Sequence, residues 1–271
     1  AMSGGVDSSV VAALLHHNGD EVVGVAMRLY AQAEAAGKSC CSPDDLLDAR
    51  AVANACGFPF YVANYQDEFR RRVVDYFVDE YGRGRTPSPC VLCNDHLKFD
   101  TLLDRLDALE GDALATGHYA RLVADPGTGR RRLLRGADTS KDQSYFLAGL
   151  RRTVLDRVEF PLGGMLKRDV RMLAAALGVP TAQKPESQDI CFVGSGHYAD
   201  LVRERLGEAR IVRGKLRRVG DGEVLGEHDG IHQFTPGQRR GIGVAAGEPL
   251  YVQRVDASTG DVWLGTASSA R

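Results

Sequence analysis

Long apolar runs are missing from this sequence. The longest, such as Val10 to Leu15 and Val22 to Met27, fall far below the roughly 20 residues a helix needs to cross a bilayer, so no membrane segment is expected. Cysteine is sparse, with six in 271 residues (Cys40, Cys41, Cys56, Cys90, Cys93 and Cys191). A disulfide-stapled secreted domain is normally shorter and denser in cysteine, which points instead to a reducing, cytoplasmic setting. A dominant charge is lacking too: 34 basic against 36 acidic side chains give a formal net of −2, which neither demands nor forbids a nucleic-acid partner. No secretory leader, internal repeat or low-complexity tract is visible. With 44% hydrophobic and 26% charged residues, disorder, collagen and coiled coil are excluded. The length suits one large domain or two modest ones.

What is present alternates between strand and helix. An apolar stretch from Ser9 to His17, closed by Asn18-Gly19, predicts a helix, and Val22 to Met27 a buried strand. Ser42-Pro43-Asp44-Asp45 starts a second helix well, with a capping hydroxyl, proline at the first position and carboxylates at the positive end, and Gly57 stops it. Pro59 to Val62 reads as a strand, Asp67 to Tyr81 as a helix, Asp95 to Leu109 as another, and Ala113 to Thr116 as a strand. Further helices are expected at Gln143 to Leu150 and Lys167 to Leu177. The alternation predicts an α/β fold with a doubly wound parallel sheet. Beyond about Glu208 the chain reads as β, with hairpin signals at Asp221-Gly222 and at Ser258-Thr259-Gly260. The expected organisation is a catalytic domain over residues 1–200 and a smaller, mainly β domain over 201–271.

Chemistry concentrates first in Ser3-Gly4-Gly5-Val6-Asp7-Ser8-Ser9, where a strand should hand over to a helix. Paired glycines let successive backbone N–H groups turn toward one anion, and the helix N-terminus and serine hydroxyls add to the cradle. The loop should follow a strand, so the chain is expected to begin inside its first one. This is not the Walker pattern, since Gly-Lys-Ser/Thr is absent and Asp7 stands where a phosphate would approach. Asp7 makes sense if a magnesium ion bridges it to phosphate oxygens. The stretch resembles the PP-loop of the ATP pyrophosphatases, which cleave ATP to AMP and pyrophosphate and activate a carbonyl oxygen with the AMP.

A second signal is Gly84-Arg85-Thr86-Pro87-Ser88-Pro89-Cys90-Val91-Leu92-Cys93-Asn94, with a third cysteine in Glu186-Ser187-Gln188-Asp189-Ile190-Cys191-Phe192. Cysteines three apart can be half a metal site, a redox pair, or a nucleophile beside a resolving thiol. Structural zinc would want a fourth ligand, and no second Cys-x-x-C exists. Cys93, just before an expected helix, is placed for a lowered thiol pKa. Two basic stretches, Arg130 to Arg157 and Arg203 to Arg240, read as solvated surface unless a partner is shown.

These loops, with Cys40-Cys41-Ser42, Gly117-His118-Tyr119-Ala120-Arg121, Lys141-Asp142-Gln143-Ser144-Tyr145-Phe146-Leu147 and Phe234-Thr235-Pro236-Gly237-Gln238-Arg239-Arg240-Gly241, occur in the order expected of tRNA-specific 2-thiouridylases, the MnmA family, which the chain resembles over nearly its whole length. The resemblance implies ATP-dependent 2-thiolation of the wobble uridine of tRNA. It assigns the ATP pocket to Ala1, Met2, Ser3, Gly4, Gly5, Val6, Asp7, Ser8 and Ser9, with Met27 and Gly117. It implies Cys93 as nucleophile and Cys191 as persulfide carrier, a sulfur-carrier or cysteine desulfurase relay protein as donor, and RNA contacts from Ser88, Pro89, Cys90, His118, Lys141, Asp142 and Gln143. Many relatives have aspartate at the position of Cys90. With Cys90, Cys93 and Cys191 as three thiols, a four-iron four-sulfur cluster is a further expectation. The family continues beyond the position of Arg271 into another β-barrel domain. Other readings of the same residues are a PP-loop ligase acting on a different carbonyl and an RNA-binding module with structural zinc.

Overall fold

Gly4 adopts φ +73°, and a Cβ on it would lie 2.0 Å from the backbone oxygen of Asp45. Only glycine fits there, and the turn it makes delivers the chain into helix α1, Val6–His17, with Gly5 as an extended N-cap. The computed structural model describes residues 1–29, 43–186, 190–193 and 196–269; Cys40, Cys41 and Ser42, and Ser187 to Asp189, lie outside them.

The strands around this turn form a parallel arrangement. β1 (Gly24–Arg28) pairs in parallel with β2 (Phe60–Asn64), and β3 (Leu114–Ala115) with β6 (Val158–Glu159). The dipeptide Ala1-Met2 lies between them: Ala1 N donates to Ala115 O at 2.6 Å and Met2 N to Val25 O at 2.8 Å. Counting the dipeptide as the first strand, the spatial order is third, second, first, fourth, fifth, so the chain departs to opposite sides of the dipeptide. Such a reversal opens a crevice at the strand ends, where doubly wound sheets bind ligands. Between β3 and β6 the chain makes an antiparallel hairpin of β4 (Ala120–Ala124) and β5 (Arg131–Arg135).

Helix α1 is buried along most of its first half, because Val6, Val10, Val11, Ala12 and Ala13 all enter one core. It packs against Ala49, Val52 and Ala53 of α2 (Pro43–Cys56) and against Val170 and Ala174 of α8 (Lys167–Ala176). The expected helix over 67–81 is formed in three pieces, α3 (Gln66–Phe69), a π-helical turn (Arg70–Val74) and α4 (Asp75–Gly82). The one expected to begin at Asp95 begins earlier, with α5 (Pro89–Cys93), continues through a π turn (Asn94–Phe99), and ends as α6 (Asp100–Ala108). Cys93 therefore lies inside a helical run and not ahead of one. The helix expected from Gln143 to Leu150 is reduced to a 3₁₀ turn, Ser144–Leu147. Asp142 pins its start by accepting from Ser144 N and Oγ, Asn94 Nδ2 donates to Phe146 O, and Gly149 abuts the Asp95 carboxylate. A short helix α7 (Arg152–Leu155) follows.

The chain divides into two units: Ala1–Val73 with Pro89–Ser195, and Val74–Ser88 with Gly196–Arg271. The sequence alone places 74–88, including Ser88, in the first. In the second unit, Tyr198 of α9 (Tyr198–Leu206) stacks 4.7 Å from Tyr81 and meets Phe77 edge-on at 6.4 Å. Four strands, β7 (Gly214–Arg218), β8 (Val224–His228), β9 (Tyr251–Val255) and β10 (Val262–Gly265), form a sheet in the order β8-β7-β10-β9. Both expected hairpins form, and β7 and β10 are joined in parallel. Leu216, Ile231, Phe234, Val252, Val262 and Leu264 fill a separate core.

Candidate active site

The first turn of α1 leaves the N–H groups of Val6, Asp7 and Ser8 outside the helix's own hydrogen-bond ladder, at its positive end. All three residues line a cavity of about 450 Å³ in the first unit. The loop in front of them is tied by its serines, with Ser3 N donating to Ser8 Oγ at 3.1 Å and Ser8 Oγ donating to Gly5 O at 3.2 Å. Gly117 packs against this turn so closely that a Cβ would stand 2.8 Å from Ser8 N. Ala1, Met2, Ser3, Gly5, Met27 and Gly117 face the same cavity. Gly4 shapes the loop from behind, and Ser9 is fully buried with no partner for its hydroxyl among the described residues.

Asp7 is joined to side chains far away in sequence. Lys167 Nζ lies 2.7 Å from both its carboxylate oxygens, and Tyr119 OH donates to Oδ1 at 2.8 Å. Burial and then the Asp7 charge push the Tyr119 hydroxyl far above its usual range. Lys167 also meets Glu186 at 2.8 Å, and Glu186 receives Lys141 at 2.6 Å. Burial works to raise the Glu186 carboxyl, but the two ammonium groups outweigh it and bring it down to about 2. Lys184 holds the loop from the other side, donating to Gly4 O at 3.1 Å, to Asp45 at 2.5 Å and to Asp48. The sequence alone assigns no role to Lys167, Lys184, Tyr119 or Glu186. Lys167 lies 160 residues from Asp7, and no local pattern announces such a pair.

Thiols line the same cavity. Cys90, Cys93 and Cys191 all line the cavity; Cys93 is buried, Cys191 half-buried and Cys90 exposed. The turn holding Cys191 meets the first unit's core through Phe192, whose ring lies edge-on to Phe69 at 5.8 Å. Among the described residues no three Cys, His, Asp or Glu side chains converge as metal ligands. The three cysteines share this cavity without standing together as such a ligand set in the structure.

Of the positions expected at RNA, Pro89, Cys90, His118, Lys141 and Gln143 line the cavity. His118 sits among Phe99 and Phe160, with Nδ1 2.8 Å from Thr116 Oγ1. Burial, then the Lys98 charge, pushes its imidazole down to about 3, so it is neutral at working pH. Gln143 Oε1 accepts from Tyr119 N at 3.0 Å. Asp142 is not at the cavity wall: its carboxylate accepts from Gly136 N and Ser144 and serves the loop itself. Among the described residues no helix is long and apolar enough to cross a membrane.

Comparison with known proteins bears on this geometry. Residues 1–195 match the tRNA methyl transferase HUP domain family and residues 199–266 the tRNA methyl transferase PRC-barrel domain family. The tRNA-specific 2-thiouridylase MnmA of Anaplasma marginale is 50% identical over 270 residues, covering 99% of this chain and 69% of that protein. Its counterpart from Geobacter metallireducens is 50% identical over 271 residues, 98% of this chain and 73% of that one. That from Rickettsia prowazekii is 47% identical over 271 residues, 99% and 75% respectively. Among solved structures, an NMN synthetase from Francisella tularensis is similar with a TM-score of 0.44 and 15% identity, over 75% of this chain and 74% of that one.

Proposed function

Because the chain belongs to the tRNA-specific 2-thiouridylase family, we propose that it replaces the C2 oxygen of the wobble uridine of tRNA by sulfur, with ATP as the activating substrate. One observation carries this reading: the N-terminal turn of α1 and two cysteines far apart in sequence, Cys93 and Cys191, line the same cavity.

An amide-like carbonyl does not expel oxide, so the oxygen must first become part of a good leaving group. The first turn of α1, whose residues Val6, Asp7 and Ser8 line the cavity, is the expected seat of the ATP phosphates, because a helix N-terminus leaves N–H groups without intrahelical partners. Lys167 supplies the chain's own positive charge beside them. Magnesium, which shields phosphate oxygens, would be held by Asp7; one carboxylate besides the phosphates suits that ion. Adenylation of the C2 oxygen makes AMP the leaving group. Cys191, as a persulfide loaded by a sulfur-relay protein, then meets Cys93: the Cys93 thiolate attacks the inner sulfur of Cys191, a Cys93–Cys191 disulfide forms, and the outer sulfur leaves as sulfide. Sulfide attacks C2 and AMP departs. The target base must leave its stack to reach the cavity, and Lys141, His118 and Gln143 are the expected residues beside it.

The matched family descriptions name methyl transfer. That reaction has no use for the adenylating site together with a thiol pair, and the cysteines favour sulfur. Incubation with ATP, sulfide and unmodified tRNA, followed by mass spectrometry of the nucleosides, tests the reading: 2-thiouridine with stoichiometric AMP supports it, and unchanged uridine refutes it. With a persulfide donor in place of sulfide, Cys191→Ser is expected to abolish thiolation while tRNA-dependent release of pyrophosphate from ATP persists, and Asp7→Ala to abolish both.

A further inference from the structure

Sulfur transfer from a Cys191 persulfide ends with the enzyme oxidised, and the role of Cys90 inferred from that outcome rests on the thiolation reading. The product is a Cys93–Cys191 disulfide. One of its sulfurs belongs to a buried residue: Cys93 is 7% exposed, at the end of α5. A protein reductant approaching from solvent cannot reach that sulfur. Cys90 is exposed, lines the same cavity, and lies one turn earlier on the same helix. Residues three apart on a helix are neighbours, within the span that a disulfide bridges after small adjustment.

We propose that Cys90 is the resolving thiol that carries the oxidation from the buried bridge to the protein surface. Its thiolate attacks the sulfur of Cys93. A Cys90–Cys93 bond forms, the Cys93–Cys191 bond breaks, and Cys191 leaves as the thiolate, ready to accept the next sulfane sulfur. The proton given up by Cys90 balances the one Cys191 can take, and no electrons are gained or lost in the exchange. An external dithiol then supplies two electrons to the Cys90–Cys93 bridge, whose Cys90 sulfur it can reach, and is itself oxidised to a disulfide. Attack on Cys93 rather than on Cys191 is the productive direction, because only that direction frees the sulfur carrier.

The whole chain is oxidised with one equivalent of diamide, quenched with an alkylating agent at low pH, and its bridges are mapped by peptide mass spectrometry. The wild type is expected to yield mainly the Cys90–Cys93 bridge, and Cys90→Ser the Cys93–Cys191 bridge. In repeated turnover with a thioredoxin-type dithiol protein as reductant, Cys90→Ser should fall behind the wild type by about tenfold or more, and a small phosphine should close the gap. A wild-type map holding Cys93–Cys191 alone, or undiminished turnover of Cys90→Ser with the dithiol protein, overturns the proposal. The diamide map needs no tRNA, so it decides the exchange even if no 2-thiouridine forms and the thiolation reading itself fails.

Discussion

Asp7 and Lys167 share a short ion pair in a poorly solvated wall, with the lysine side chain only 10% exposed. Removing one partner strands the other charge, a loss of about 3 kcal/mol for a buried pair. Lys167→Met is therefore expected to lower stability to urea by that order, and adding Asp7→Asn to it should restore part of the loss, a coupling that a double-mutant cycle measures. Glu186 gives a prediction in pH. Its carboxyl is held at about 2 against an ordinary 4.5. The unfolded chain therefore binds the proton first as pH falls, and the stabilisation, complete above about 4.5, fades toward 2. It amounts to an order of 3 kcal/mol. Urea titrations between pH 6 and 2 should show the wild type losing this much relative to Glu186→Gln; parallel curves would remove the assigned network. At this scale the loop residues were legible, because Ser3 to Ser9 carry their chemistry in consecutive positions. Their partners Lys167 and Lys184 were not, since what makes them partners is a fold that returns after 160 residues and more, and Glu186 joins them only through Lys167.

Among elements, the turn before α1 is the most tightly specified. Ala at position 4 would have to hold φ +73° and place its Cβ 2.0 Å from Asp45 O. Gly4→Ala is expected to destabilise the protein by at least about 2 kcal/mol and to weaken nucleotide binding, as calorimetric titration with an ATP analogue would detect. Helix α2 could be placed from Pro43 to Cys56 from its capping pattern alone, because proline, two acids and a closing glycine act locally. The missing helix at Gln143–Leu150 shows the reverse. Its residues suit a helix, but the side chains of Asn94, Asp95 and Asp142, which hold the segment in a turn, come from tertiary neighbours and from the residue just before it. The π turns at Arg70–Val74 and Asn94–Phe99 have no periodic signature, yet both contribute cavity residues, Val73 from one and Asn94, Lys98 and Phe99 from the other.

For the whole molecule, the division into two units is discontinuous in sequence. Residues 74–88 join the second, with Phe77 and Tyr81 meeting Tyr198. Hydrophobicity along the chain could not reveal this, because α4 reads as the continuation of α3. Native-state hydrogen exchange of the full chain tests it: Tyr198→Ala should lower protection in α4 and α9 together while leaving α1, α2 and α8 unchanged. The long-range ties of the first unit have a temporal consequence. Lys184 reaches back to Gly4 and Lys167 to Asp7, so a ribosome must release the polypeptide past residue 184 before the turn ahead of α1 can be tied down. Until then the glycine turn is an open bend on an unfinished sheet, and a nascent enzyme stalled short of residue 184 is expected to be blind to ATP.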